Sequence, residues 1–102
     1  MTVSIDDLEP KIMEAAALMA MLSQPVRLRI LCILLEGPKS VQELVDLLGM
    51  SQPGISHHLK KLRDADLVDT RRDAQTIHYS LKGQEVTEVL QTLHKLYCQD
   101  EV

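Results

Sequence analysis

Apolar and polar positions along this chain follow two rhythms, one for most of its length and another for a short stretch near residue 70. From Asp7 to about Leu22, the residues Ile12, Ala15, Ala16, Met19 and Leu22 recur every three or four positions, with Ala17, Leu18 and Met21 beside them. That period predicts a helix with one broad apolar face. Pro10 falls in its first turn, where a missing N–H is tolerated. Ser23-Gln24-Pro25 ends this helix and opens a second one reaching about Glu36. Leu28, Ile30, Leu31, Cys32, Ile33, Leu34 and Leu35 make the second helix apolar nearly all round, which predicts a central, buried element. Gly37-Pro38 stops it.

Ser40-x-x-Glu43 has the form of a capping box and predicts a third helix buried through Leu44, Leu47 and Leu48 and ended by Gly49. Ser51 caps a fourth, running to about Ala65. Ile55, His58, Leu59 and Leu62 fall on its inner face, while Gln52, Ser56, His57 and Lys60 fall outside and all hydrogen-bond. The period then changes to two. Leu67–Thr70 and Thr76–Leu81 predict two strands, with Ile77, Tyr79 and Leu81 on the covered face and His78 toward solvent. The polar, basic stretch Arg71-Arg72-Asp73-Ala74-Gln75 is expected at the hairpin tip. A last helix is expected from about Gln84 to Cys98, with Val86, Val89, Leu90, Leu93, Leu96 and Tyr97 as its apolar stripe.

Two helices joined by a tight turn at a glycine form a helix-turn-helix, and a basic hairpin after it forms a wing. The expected fold is mainly α with a small β-hairpin, in the order α-α-α-α-β-β-α. A polar outer face on the fourth helix suits the major groove, and a basic wing suits phosphates or a minor groove. The first and last helices together offer more apolar surface than such a core covers, which predicts a homodimer through these two helices.

Composition adds boundaries. At 102 residues, one domain over residues 1–102 is expected. Tyr79 and Tyr97 are the sole aromatics, so the core has to be built from Leu, Ile, Val, Ala and Met. No apolar run is long enough to span a bilayer, and the acidic opening Met1–Glu9 does not resemble a secretory leader. A cytoplasmic location with reduced Cys32 and Cys98 is therefore expected, with no membrane partner. The net charge of −4 argues against a nucleic-acid partner until its distribution is considered. Residues 51–82 carry six Lys and Arg against four Asp, whereas the remainder carries five bases against eleven acids. No Ser/His/Asp arrangement, Gly-rich phosphate loop or paired-carboxylate cleft stands out, so no enzymatic activity and no cofactor are expected.

The segment Ser51-Gln52-Pro53-Gly54-Ile55-Ser56-His57-His58-Leu59-Lys60-Lys61-Leu62 resembles the S-Q-x-x-x-S-x-H-L-x-x-L recognition helix of the ArsR family of bacterial repressors. Pro25-Val26-Arg27-Leu28-Arg29-Ile30-Leu31 and the wing from Leu67-Val68 to Tyr79-Ser80-Leu81 are similar to the same family. The resemblance implies a dimeric winged helix-turn-helix repressor of double-stranded operator DNA. It assigns DNA contacts to Ser51, Gln52, Ser56, His57, Lys60, Lys61, Arg71, Arg72 and Gln75. The chain departs from the family at Asp66, where Gly is usual, and near Ala74, where Gly is common at the wing tip, and Gly54 is unusual inside a helix.

The family's metal signatures are absent. The third helix has no C-x-C, and a zinc pattern aligned on His94 would require Leu81, Gly83 and Tyr97 as ligands. Cys32 in Leu31-Cys32-Ile33-Leu34 and Cys98 in Leu96-Tyr97-Cys98 instead resemble the sulfur-sensing, BigR- and SqrR-like branch. There the resemblance implies that the two cysteines join through a disulfide or a chain of sulfur atoms when a persulfide or polysulfide inducer arrives. Two alternatives stay open: a metal-responsive repressor using Cys32, His94 and Cys98, and a winged-helix module that binds protein rather than DNA.

Overall fold

The computed structural model describes residues 3–98; the ends of the expected 1–102 domain lie outside the described residues. The N-terminal helix expected as one piece from Asp7 is broken in two. Ser4 caps a short α1 (Ile5–Leu8), Glu9–Lys11 form a 3-10 turn, and α2 (Ile12–Leu22) follows. Pro10 explains the break: it has no N–H to donate and its ring crowds the preceding turn, so the chain tightens around it.

Gln24 caps α3 (Pro25–Leu35), accepting the Arg27 N–H on Oε1 at 2.8 Å. Only one side of α3 is central, because Ile30, Leu31 and Leu34 are buried while Cys32 faces outward. The helix is thus not enclosed all round, as its composition led one to expect; its remaining apolar face is left for other uses. β1 (Lys39–Ser40) is a third strand that the sequence pattern did not reveal, and it leads directly into α4 (Val41–Leu48). Gly49, at φ 65°, closes α4 in the left-handed conformation that glycine adopts without steric cost. α5 (Gln52–Asp64), β2 (Val68–Asp73), β3 (Thr76–Leu81) and α6 (Gln84–Tyr97) complete the order.

The sheet is antiparallel in the order β1-β3-β2, with Ser40 opposite His78 and Arg72 opposite Ile77. Pairing with β1 makes His78 half-buried rather than solvent-facing. Ile77 is 41% exposed, because this end of the ribbon projects past the body that covers Tyr79 and Leu81. The turn is shorter than expected. Ala74 and Gln75 alone connect the strands, so Arg71 and Arg72 lie within β2.

Leu22, Ile30, Leu31, Leu34, Leu44, Ile55, Leu59, Leu62, Val68, Val86 and Leu90 form the core. It contains Leu, Ile and Val but no aromatic residue; full burial of each such side chain contributes about 1.5–3 kcal/mol. Helices α2 and α6 place only one edge in it. Met13, Met19, Leu96 and Tyr97 remain exposed, at 80%, 49%, 67% and 82%. Met19 therefore lies outside the core-facing stripe drawn for it, which instead runs through Ile12, Ala15, Leu18 and Leu22. No single described helix is long and apolar enough to cross a membrane.

Candidate functional site

The helix-turn-helix is anchored at its first residue. Ser40 N–H donates to Glu43 Oε1 at 2.9 Å and Glu43 N–H donates to Ser40 Oγ at 3.2 Å, completing the expected capping box. The Ser40 backbone N–H holds the Glu43 carboxyl below its usual range, with the Ser40 hydroxyl, Lys39 and His78 adding to it. Because Ser40 also pairs with β3, the box ties the start of α4 to the wing.

At the start of α5, Ser51 Oγ accepts the Gly54 N–H at 3.2 Å. An added Cβ at Gly54 would stand 3.2 Å from Ser51 Oγ and 3.3 Å from Met50 Cε. Glycine is therefore fitted to the packing of the cap. The Ser51 oxygen is engaged there, but its O–H proton is free to donate outward. Ile55, Leu59 and Leu62 point into the core, while Gln52, Ser56, His57, Lys60 and Lys61 are exposed. Lys60 Nζ sits 3.1 Å from Asp64 Oδ2, a solvent-exposed pair that contributes little stability and yields readily to a phosphate. Arg63 is also exposed and forms no ion pair among the described residues. It lies seven residues, two helical turns, after Ser56 and so shares its outer face, a spacing signal that the sequence reading passed over.

His58 occupies the inner edge of α5. Its ring meets His57 edge-on, with centroids 5.5 Å apart, and its buried Nδ1 has no hydrogen-bond partner among the described residues. Burial lowers its pKa first, and the charges of His57, Arg27 and Lys61 lower it further.

The wing presents Arg71 and Arg72 from consecutive strand positions, both exposed. Successive side chains in a strand point to opposite faces, so the two guanidiniums straddle the ribbon rather than forming one cluster. Gln75 is exposed in the turn. Lys82 is held by Asp66 at 2.7 Å and Asp69 at 3.8 Å, so part of the positive charge in this third of the chain is neutralised locally.

The structure brings the two cysteines together across 66 positions of sequence. Cys32 on α3 and Cys98 at the C-cap of α6 are both free and exposed. They line one hollow of about 480 Å³ with Leu35, Glu36, Leu90, Gln91, Leu93 and His94. Partial burial pushes the Cys32 thiol up, and a negative charge on Cys98 pushes it further. His94, one turn before Cys98, lines the same hollow. Even so, no three His, Cys, Asp or Glu side chains among the described residues are grouped closely enough to hold a metal.

The family model described as "Bacterial regulatory protein, arsR family" matches residues 24–70, from the α3 cap into β2. The transcriptional activator HlyU of Vibrio cholerae is 41% identical over 96 residues, covering 94% of this chain and 89% of the relative. The biofilm growth-associated repressor of Xylella fastidiosa is 38% identical over 96 residues, covering 94% of this chain and 84% of the relative. Among solved structures, the transcriptional repressor BigR from Xylella fastidiosa superposes with a TM-score of 0.89 at 36% identity, covering 96% of this chain and 100% of that one.

Proposed function

Because the chain belongs to the ArsR family of bacterial regulatory proteins, whose members compared above are transcriptional regulators and not enzymes, we propose that it is a cytoplasmic, homodimeric repressor released from operator DNA when reactive sulfur species bridge Cys32 and Cys98. The observation that carries this reading is the single hollow into which both free thiols open. DNA contact is assigned to the α5 cap Ser51, to Gln52, Ser56, His57, Lys60 and Lys61 on α5, and to Arg71, Arg72 and Gln75 on the wing. All nine are exposed on the two elements that suit groove and phosphate contact.

In the switch, one cysteine thiolate attacks a sulfur of a persulfide or polysulfide and expels a thiolate; the second cysteine then displaces the remaining fragment. A direct disulfide needs alpha carbons about 4.4–6.8 Å apart, whereas a bridge with added sulfur spans a longer gap. The bridge ties α3 to the end of α6, an expected dimer helix. Two recognition helices have to stand about 34 Å apart to read successive major grooves, so a shift of α6 against the core spoils the match.

Intact mass after separate exposure to sulfide, polysulfide and peroxide, with operator binding measured on each product, tests the proposal. Polysulfide should give an intramolecular bridge and weaken binding. A bridged protein that holds operator as tightly as the reduced one sinks the reading. Zinc titration of reduced protein separates it from the metal-responsive alternative, which His94 in the hollow keeps worth testing.

A further inference from the structure

We propose that the groove on the N-terminal side of Cys32 is a binding site for the organic arm of a carboxylate-bearing polysulfide, with Arg29 as its anion anchor. The proposal rests on the dithiol switch described above and assigns it a substrate class. Cys32 lines two hollows. Leu35, Glu36 and Cys98 line the one lying toward the C-terminal end of α3. Pro25, Leu28, Arg29, Ile33 and Leu48 line the other, of about 460 Å³, which lies toward the N-terminal end. This second hollow is walled by apolar side chains and carries one charge, Arg29, one turn before Cys32. Arg29 is exposed and forms no ion pair among the described residues. An apolar trough ending in an unpaired guanidinium suits a short organic chain ending in a carboxylate.

The chemistry of bridging gives the groove its purpose. With a trisulfide R–S–S–S–R, the Cys32 thiolate attacks the central sulfur, one S–S bond breaks and one RS⁻ leaves. Cys32 then carries –S–S–R. The Cys98 thiolate attacks that same central sulfur and the second RS⁻ leaves, so that one added sulfur joins Cys32 Sγ to Cys98 Sγ as a trisulfide. Two thiols are oxidised, one trisulfide is reduced to two RSH, and the cysteine protons pass to the departing thiolates. Displacement at sulfur runs in line, so the second arm departs on the side away from Cys98. Cys98 lines the other hollow and not this groove, so an arm held in the groove by Arg29 is kept clear of the incoming Cys98 thiolate.

The test compares bridging rates, by quenched intact mass, for bis(carboxyethyl) trisulfide and bis(hydroxyethyl) trisulfide. Both reagents are applied to the reduced wild type and to Arg29→Gln and Arg29→Lys. Arg29→Gln should slow the carboxylate reagent about threefold to fivefold relative to the hydroxyl reagent, the size of an exposed ion pair. Arg29→Lys should restore most of the loss, and thermal unfolding of the three proteins should coincide. Equal slowing of both reagents, or none, overturns the groove while leaving the dithiol switch intact. If neither reagent bridges the wild type, the switch itself falls and the groove with it.

Discussion

Asp66 and Ala74 hold positive φ, 64° and 59°, where an L side chain is strained. The departures expected at Asp66 and near Ala74 fall on these two residues, so they are conformational ones. Asp66 follows the α5 cap: its N–H donates to Arg63 O at 2.9 Å, and Leu67 N–H donates to Leu62 O at 3.0 Å. These are the two bonds of a Schellman ending, whose left-handed residue is usually glycine. Ala74 is the first of two turn residues and the only one of them with positive φ, as a type II′ turn requires. Asp tolerates this region better than Ala, and Asp66 also holds Lys82. Ala74→Gly should therefore stabilise the protein by roughly 0.5–1 kcal/mol, read as a higher urea midpoint with unchanged slope. His58 supplies a pH dependence. Its folded pKa lies below its ordinary value, so the unfolded chain takes up a proton first on acidification. Its contribution is fully present above about pH 6.5 and is lost as pH falls from there toward the folded pKa. The unfolding midpoint should decline across that window, and His58→Asn should flatten that part of the curve. Glu43 acts lower, losing its contribution only as pH falls below the usual carboxylate range.

The caps, the polar outer face of α5 and the stripe of α6 were legible because each depends on residues within a few turns. What escaped depends on neighbours distant in sequence. β1 is two residues long and exists through pairing with β3, and no periodicity can be read from two residues. The basic hairpin tip dissolved into strand because pairing continues to Asp73 opposite Thr76. The α2–α3 elbow is held by Arg27, a residue that local pattern does not single out. Its Nε donates to Met21 O at 3.0 Å, and its Nη2 to Ala20 O at 3.3 Å beside the Ser23 hydroxyl that donates to the same carbonyl at 2.7 Å, so the guanidinium adds donors to the carbonyls at the end of α2. Arg27→Ala should cost about 1.5–3 kcal/mol in urea unfolding, the range for hydrogen bonds to a charged group, with Arg27→Lys intermediate.

At the scale of the whole molecule, charge and apolar surface have to be counted as the fold leaves them. Lys61 and Arg71 are exposed with no ion partner among the described residues, whereas Lys82 is held by two aspartates. Each phosphate contact contributes about 0.9 to the slope of log K against log salt. Lys61→Ala or Arg71→Ala should lower the slope of operator binding by roughly one, and Lys82→Ala should leave it nearly unchanged. The exposed Met19 and Leu96 mark the expected dimer face. Met19→Asp should shift sedimentation from dimer to monomer and weaken binding to a two-half-site operator more than to a single half-site. An unchanged dimer would move the interface elsewhere.

The amino-acid sequence by itself determined the helix-turn-helix, its caps, the basic wing and the apolar character of the core, because helix period, strand period and capping are set by residues close in the chain. Only the tertiary structure decided that Cys32 turns outward, that it shares a hollow with Cys98, and that a second hollow with Arg29 opens on its other side. Those relations join α3 to α6 and to the end of α4. No local rule reaches across such a separation; it is fixed by how the helices pack around Ile30, Leu31, Leu34 and Leu90.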